Sequence, residues 1–482
     1  MKRFLGSLIL FTGIVAVLVF LSHPLQASGK VTVCHNPSTP NQKTLEIGEE
    51  SLADHLGHGD LDGPCAPLQE TIAYVCSTSD IAYKTLYVSS EAWGAQRGTV
   101  ERPFSSVSTA LKYAEKMNLP GVELQIKPGL YENDMAMLSR PTRIVGPGQN
   151  ANPSAELPLS IINNGAHELG VQGVVFRAAG FSPAITVSDL AADTALCDVR
   201  FESVVGHALR QTGGTLHIEG GIFNSTARNP KAGSDDHLTG TAMVLDGGIM
   251  GSINNTHVDG SSGSGLHVSG AGTRIDIDWD GSSQSVFENG SGCLGAVVVT
   301  SGAELNANRL TLDGNGLRGV SAEGSGTTVD LPFLTATSTK LLQGGLDVTG
   351  ETCGFGAVSN VYAASNAAVN ISGTSDDPFT ISDSALAGFI IFYPISLSLD
   401  RGTINNNPIG MSVEGGGYCD DPAWSIENVL WINNIVDFDG PNICPPEPLR
   451  EFACTNGVDD DQDGDIDCAD SDCSGAPACS SP

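Results

Sequence analysis

Between Asp459 and Asp470 the chain sets carboxylates at short, regular intervals: Asp459, Asp461, Asp463, Asp465, Asp467 and Asp470, with Gly464 among them. Calcium takes six to eight oxygen ligands in flexible geometry, and a loop that supplies them needs glycine at its sharp turn. Asp459, Asp461 and Asp463 fall at loop positions 1, 3 and 5, and Gly464 falls at 6. Asp465 offers its carbonyl, and Asp467 and Asp470 complete the set. An aspartate closes the loop where a sensor loop has a bidentate glutamate, and no helical pattern flanks it, so the expected ion is structural. The competing reading is a disordered acidic tail, in which so many adjacent carboxylates repel one another.

Two further groups have the types and spacing for chemistry. In Arg274-Ile275-Asp276-Ile277-Asp278-Trp279-Asp280, strand alternation puts Asp276, Asp278 and Asp280 on one outward face beside Arg274. The bland alternative is a solvated strand face that ends in the Asp280-Gly281 turn. Near the N-terminus, Ser51 can cap a short helix carrying His55 and His58, which share a face three residues apart. With His35, and Asp60 as fourth ligand, they have the composition of a transition-metal site. The alternative is a disulfide-stapled cap whose histidines bond to backbone. Asp420-Asp421 stands near Trp424 and Trp431, whose rings could stack on sugars or cover the end of a core. His207, His217, His237, His257 and His267 have no nucleophile motif beside them and read as polar or turn positions. A Ser/His/Asp triad cannot be picked out, because it is defined by geometry.

The elements that hold these groups announce themselves by a recurrent phrase, glycine followed by apolar-x-apolar. It occurs at Gly240, Gly265, Gly295, Gly319, Gly345, Gly388 and Gly410. The gap before Gly388 has room for two turns of the same kind. Around Gly295 the phrase is followed by period-two segments: Val297, Val299, Leu305, Leu310 and Leu312 point inward, and Glu304, Asn306, Arg309 and Thr311 outward. Several short strands repeating at this period make a solenoid, whose coils must stack because one coil cannot bury its own apolar face. Asparagine pairs and triplets at Asn163-Asn164, Asn254-Asn255, Asn405-Asn406-Asn407 and Asn433-Asn434 suit tight turns and inter-coil ladders. A dozen coils would stack to a rod on the order of 60 Å.

Composition agrees with a narrow core and many turns: 58 glycines in 482 residues and only 6% aromatics. A net charge of -32 argues against nucleic-acid binding, which needs a basic surface. Met1-Lys2-Arg3 followed by the apolar run Phe4 to Leu21 reads as a secretory signal cleaved near Ala27-Ser28, with a retained anchor as the alternative. No later run is long enough to span a bilayer. Twelve cysteines in an exported chain favour disulfides, with Cys34–Cys65 and Cys419–Cys444 as local pairs.

Leu86-Tyr87-Val88-Ser89 reads as a strand, and Gly98-Thr99 to Pro103-Phe104 as a loop. A helix capped by Ser105 or Ser106 follows, with Val107, Leu111, Ala114 and Met117 on one face. Val122 to Ile126 is a second strand, closed by Pro128-Gly129-Leu130-Tyr131. This order resembles the N-terminal cap of right-handed parallel β-helices of the pectin-lyase-like superfamily. The acidic tail resembles thrombospondin type-3 calcium repeats, and the Cys34–Cys65 region resembles a short module of secreted bacterial proteins. The β-helix resemblance implies lyase or hydrolase chemistry. In the lyases a cation-binding acidic cluster stands beside a base that takes the proton next to a uronate carboxylate, for which Arg274, Asp276, Asp278 and Asp280 are the candidates. The paired-aspartate, Gly-His-Gly and Arg-x-Lys set of the hydrolases is not found.

The expected organisation is a signal peptide (1–27), a Cys/His module (28–70), an all-β right-handed parallel β-helix with a capping helix (71–445) and an acidic calcium-binding tail (446–482). The expected function is extracellular or cell-surface binding of glycans or an envelope partner, with polysaccharide lyase or hydrolase as the alternative.

Overall fold

The computed structural model describes residues 30–35, 43–48, 51–52, 55, 61–62, 83–132, 134–177, 183–224, 226–227, 238, 240–278, 284–291, 295–339, 358–392, 395–414, 424–439 and 479. The chain forms two compact units, Met1–Val75 and Cys76–Pro482.

In the first unit Lys30–His35 pairs antiparallel with Lys43–Gly48 and with Leu61–Asp62. Val33 is its buried apolar anchor. Leu52 and His55 lie in helical backbone and Ser51 in a 3-10 turn, while His58, the second histidine expected on that helix, lies outside the described residues.

The second unit is a parallel β-solenoid in which each coil contributes strands to three ladders. The first ladder has twelve strands, from Asp134–Met137 to Val436–Asp439. The other strands join into one sheet of 23, which consists of a second and a third ladder meeting at a corner. Ser396–Asn405 runs through that corner and belongs to both. The alternating sequence drives this arrangement, because every coil has an apolar side to bury and the coils above and below supply the cover. Val297 and Val299 of the first ladder, Leu305 of the second and Leu312 of the third are at most 1% exposed.

The glycine-led phrase is the first ladder. Gly265, Gly295, Gly319, Gly388 and Gly410 stand in or beside its strands Leu266–Ser269, Val297–Thr300, Arg318–Glu323, Ala387–Phe392 and Ile409–Glu414. The reason is steric. A Cβ on Gly319 would lie 2.5 Å from the Asn360 carbonyl oxygen of the next coil, and one on Gly410 would lie 2.7 Å from that of Asp437. Val320 pairs directly with Val361, and Val361 with Phe389, so Ser359–Ala364 is the single rung between them and 345–348 lies outside the described residues.

Two corners are built from residues with positive φ. Asp198, Asn255, Asp278, Arg309, Phe333, Arg401 and Asn428 turn the chain from the second ladder to the third. Ser203, Asn289, Ser338, Asp383, Asn406 and Asn433 close the third. Left-handed backbone costs an L-residue roughly 1–2 kcal/mol, least for Asn and Asp, which explains the asparagine-rich turns. The expected inter-coil asparagine ladder is present: the Asn407 Nδ2 donates to Asn434 Oδ1 at 3.3 Å, and Asn434 Nδ2 donates to the Ile404 carbonyl at 2.9 Å. Inside the third ladder Phe176, Phe201 and Phe223 stack nearly parallel, with centroids 4.9 and 4.7 Å apart.

The helix Val107–Lys116 covers the first coils. Ser106 is its cap, its Oγ accepting from the Thr109 N–H at 3.2 Å, and Asp134 Oδ2 accepts from the Ser108 N–H at 2.8 Å. Val107, Ala110, Leu111 and Ala114 are buried. Met117, expected on that face, is the C-cap and is 52% exposed, because the helix has already ended there. Among the described residues no helix is long and apolar enough to cross a membrane.

Candidate functional site

The three outward faces differ in access. On the first ladder the outward positions Val244, His267, Val298, Ser321 and Ile390 are all buried. Beside them Arg318 donates to Glu323 Oε1 at 2.9 Å and Ser321 Oγ at 3.0 Å, and its guanidinium sits 3.4 Å from the Tyr362 ring centroid. Burial pushes the Tyr362 hydroxyl pKa up, and Arg318 opposes that shift. Nothing in the strand pattern pointed to this cluster.

On the second ladder the outward positions Gly170, Gln172, Ala195 and Cys197 are buried, and the Arg143 guanidinium lies 3.9 Å over the Tyr83 ring. Cys197 is disulfide-bonded. Access opens at the next rungs. Reading along the register, His217 pairs with Ser252, Ser252 with Asp276, Asp276 with Asn306, Asn306 with Asp330, Asp330 with Asn370, Asn370 with Ser398 and Ser398 with Ser425. This unbroken polar column, one side chain per coil, is the candidate site.

Its members hold one another. His217 Nδ1 lies 2.7 Å from Ser252 Oγ, and burial lowers the His217 pKa against the opposing charge of Glu219. Arg274 Nε is 3.3 Å from Asp276 Oδ1, and its Nη1 is 3.2 Å from Glu304 Oε1. Asn306 Nδ2 donates to Asp276 Oδ1 at 2.8 Å and to Glu304 Oε1 at 3.1 Å. These contacts cover Asn306, so it is buried even though it faces outward. Asn370 Nδ2 donates to Asp330 Oδ1 at 2.8 Å. The Asp330 carboxyl is raised above the usual carboxylate range by burial first, with Glu304 adding to the shift and the Asn370 bond opposing it.

Two of the four expected catalytic residues therefore meet, Arg274 and Asp276. Asp278 does not join them. It occupies the left-handed corner at φ 47, is fully buried, and accepts from the Asn255 N–H at 2.7 Å. The strand ends at Ile277, so alternation no longer places the next residue outward. Asp280 lies outside the described residues, as do Trp279, His58, Asp60, Asp420, Asp421 and the loop carrying Asp459, Asp461, Asp463, Asp465, Asp467 and Asp470. The side chain of His35 lies outside them too, and His55 is half-buried. Among the described residues no three His, Cys, Asp or Glu side chains are grouped to hold a metal.

The coil histidines are more varied than the surface positions expected of them. His207 is 3% exposed, with Nδ1 3.2 Å from the Thr241 carbonyl oxygen, and His257 Nε2 lies 2.8 Å from Glu288 Oε1. Trp424 Nε1 donates to the Ile395 carbonyl at 3.1 Å, and Trp431 packs 4.3 Å from Phe438, so both cover the last described coil.

The class these observations define is an all-β parallel solenoid. No family model matches the chain, and no curated protein does. Among solved structures, the catalytic domain of a GH87 alpha-1,3-glucanase in complex with tetrasaccharides matches at 13% identity and TM-score 0.37, over 86% of this chain and 84% of that one. The Azotobacter vinelandii mannuronan C-5 epimerase AlgE4 A-module matches at 11% and 0.31, over 70% of this chain and 93% of its own. The AlgE6 A-module of the same organism matches at 14% and 0.34, over 71% and 95%.

Proposed function

We propose that this chain is an exported extracellular or cell-surface protein that binds glycans or an envelope polymer along the open stretch of its second ladder, with structural calcium in its tail. The observation that carries the reading is the polar column from Ser252 to Ser425. It presents carboxylate, carboxamide and hydroxyl groups once per coil, about 4.8 Å apart, a step close to the length of one sugar unit. Asn306 holds Asp276 and Asn370 holds Asp330, so little entropy of these side chains is lost when a hydroxyl-rich polymer docks. Arg274 is engaged by two carboxylates, Asp276 and Glu304, which suits it to holding them in place rather than to serving as the base of a lyase.

A second reading rests on Asp330. Burial raises the Asp330 carboxyl above its ordinary value, with Glu304 adding to the shift, and an acid raised in this way suits a hydrolase better than a lyase. A panel of polysaccharides assayed for retention and for release of reducing or unsaturated ends, with and without calcium, separates the two. Retention without release is expected. New reducing ends that disappear in Asp330→Asn would establish hydrolysis instead, and unsaturated ends from any uronate polymer would overturn both readings.

A further inference from the structure

The outward column of the second ladder alternates in chemistry. Asp276, Asn306, Asp330 and Asn370 stand on four consecutive rungs, so carboxylate and carboxamide change places at every step. Each kind returns at every second rung, about 9.6 Å apart. Glu304 stands on the Asn306 strand, two residues before it and on the same outward face. Three carboxylates, Asp276, Glu304 and Asp330, thus share one cation, Arg274, which the first two already hold. Among the described residues Asp330 has no cation beside it and accepts from Asn370 Nδ2 at 2.8 Å. The Asp276 and Glu304 side chains are 29% and 41% exposed, so this excess negative charge is open to a partner. Among the described outward positions of the stretch there is no aromatic ring on which a sugar face could stack, so charge and hydrogen bonds must supply the affinity.

Resting on the proposed reading of this ladder as a glycan surface, we infer that the polymer it takes is an amino sugar with free ammonium groups, each unit turned half a revolution from the last. A uronate polymer brings further carboxylates to a stretch that is already negative, which like-charge repulsion disfavours. A neutral polymer strips water from Glu304 and Asp330 without replacing it. An ammonium replaces that water with charge-assisted hydrogen bonds. The geometry agrees. In a chain of half-turned units the same substituent returns to one face at every second sugar, and two sugars are close in length to two rungs. One ammonium then meets Asp330 and Glu304, the next meets Asp276, and a hydroxyl beyond them meets the exposed Asn370 carboxamide. A basic peptide fits less well, because an extended strand presents side chains to one face about every 6.7 Å, which matches neither one rung nor two.

The test titrates the full chain by calorimetry with four probes: a hexamer of fully deacetylated chitin, a chitin hexamer, a uronate hexamer and hexalysine. Mildly acidic buffer keeps the amino sugar charged, and physiological salt screens long-range attraction to the acidic chain. The deacetylated hexamer should bind at least tenfold tighter than the other three. Asp330→Asn and Glu304→Gln should each weaken it at least tenfold, whereas Asp259→Asn, at an outward position of the third ladder, should leave it within twofold. Melting followed by circular dichroism checks that each variant is folded, and if Glu304→Gln is not, Asp330→Asn decides. Tighter binding of the chitin or uronate hexamer overturns the amino-sugar inference and leaves the glycan reading standing. Binding of none of the three sugars overturns both. Hexalysine bound as tightly as the deacetylated hexamer, or an equal loss in Asp259→Asn, would trace the binding to bulk negative charge and overturn the inference as well.

Discussion

At the scale of single residues, chemistry is decided by what a side chain touches. Tyr131 shows how. It is buried and donates to the carbonyls of Val88 at 3.1 Å and Lys127 at 2.8 Å, tying the strand end to the first coil. Burial raises its pKa from 10.0 to about 12. The unfolded chain therefore loses the proton first, so the stability Tyr131 contributes is complete below pH 10 and is lost as pH rises through about 12. Tyr131→Phe should cost about 1–2 kcal/mol in denaturant titration and remove that alkaline dependence. Asp330 has the opposite consequence at neutral pH. Its raised pKa means the folded state holds the proton more tightly, so its charge weakens the fold above that pKa and the penalty disappears on acidification. Asp330→Asn should raise the melting temperature at pH 7 and leave it unchanged in acid. The sequence pointed to Arg274 and Asp276, because alternation is a local rule. It misplaced Asp278, because nothing local marks where a strand stops and a left-handed corner begins. Asn306 and Asp330 complete the column with Asp276 but are 30 and 54 residues beyond it, and only the stacking register brings them into line.

At the scale of elements, the strands were legible because burial imposes period two on them. Leu312 and Val299 were assigned inward from alternation and are essentially unexposed. Leu312→Asp should destabilise by more than about 4 kcal/mol, since it buries an unpaired charge. A soluble Leu312→Asp protein with an unchanged circular dichroism melt would contradict the assignment. The corners were half legible. Asparagine advertises a turn, but Arg309 and Phe333 adopt positive φ without any such signature, and they are held there by neighbours: Arg309 pairs with Asp377 at 2.7 Å and lies 5.0 Å over the Phe333 ring. The glycine phrase was visible as a repeat, yet its cause, the next coil's carbonyl, is a contact between residues far apart in sequence. Gly410→Ala should therefore cost roughly 1–3 kcal/mol, read as a lowered urea midpoint with an unchanged slope.

At the scale of the whole chain, stacked coils were expected, and among the described residues the first ladder has twelve strands. Coil length varies, from Phe389 to Met411 at its shortest and from Val320 to Val361 at its longest. Such variation leaves the inward register intact and blurs the period, so the repeat is regular in pattern and irregular in length. The acidic tail follows the solenoid in sequence and has only four large apolar residues, Leu449, Phe452, Val458 and Ile466, too few for a core, so we expect an ion and disulfides to take its place. Asp461→Ala or Asp463→Ala should weaken calcium binding, measured by calorimetry up to millimolar calcium, while the solenoid's melt is unchanged. Absence of binding heat and of proteolytic protection by calcium would leave the acidic-linker reading. The central claim concerns the second ladder, and its direct measurement is the affinity of the full chain for the polysaccharide that retains it, compared with Asn306→Ala and Asn370→Ala. Removing either carboxamide takes a partner from the carboxylates it holds, and the account predicts at least tenfold weaker binding in each, with circular dichroism checking that both variants remain folded. Undiminished affinity in both variants would place the binding surface on another face and contradict it.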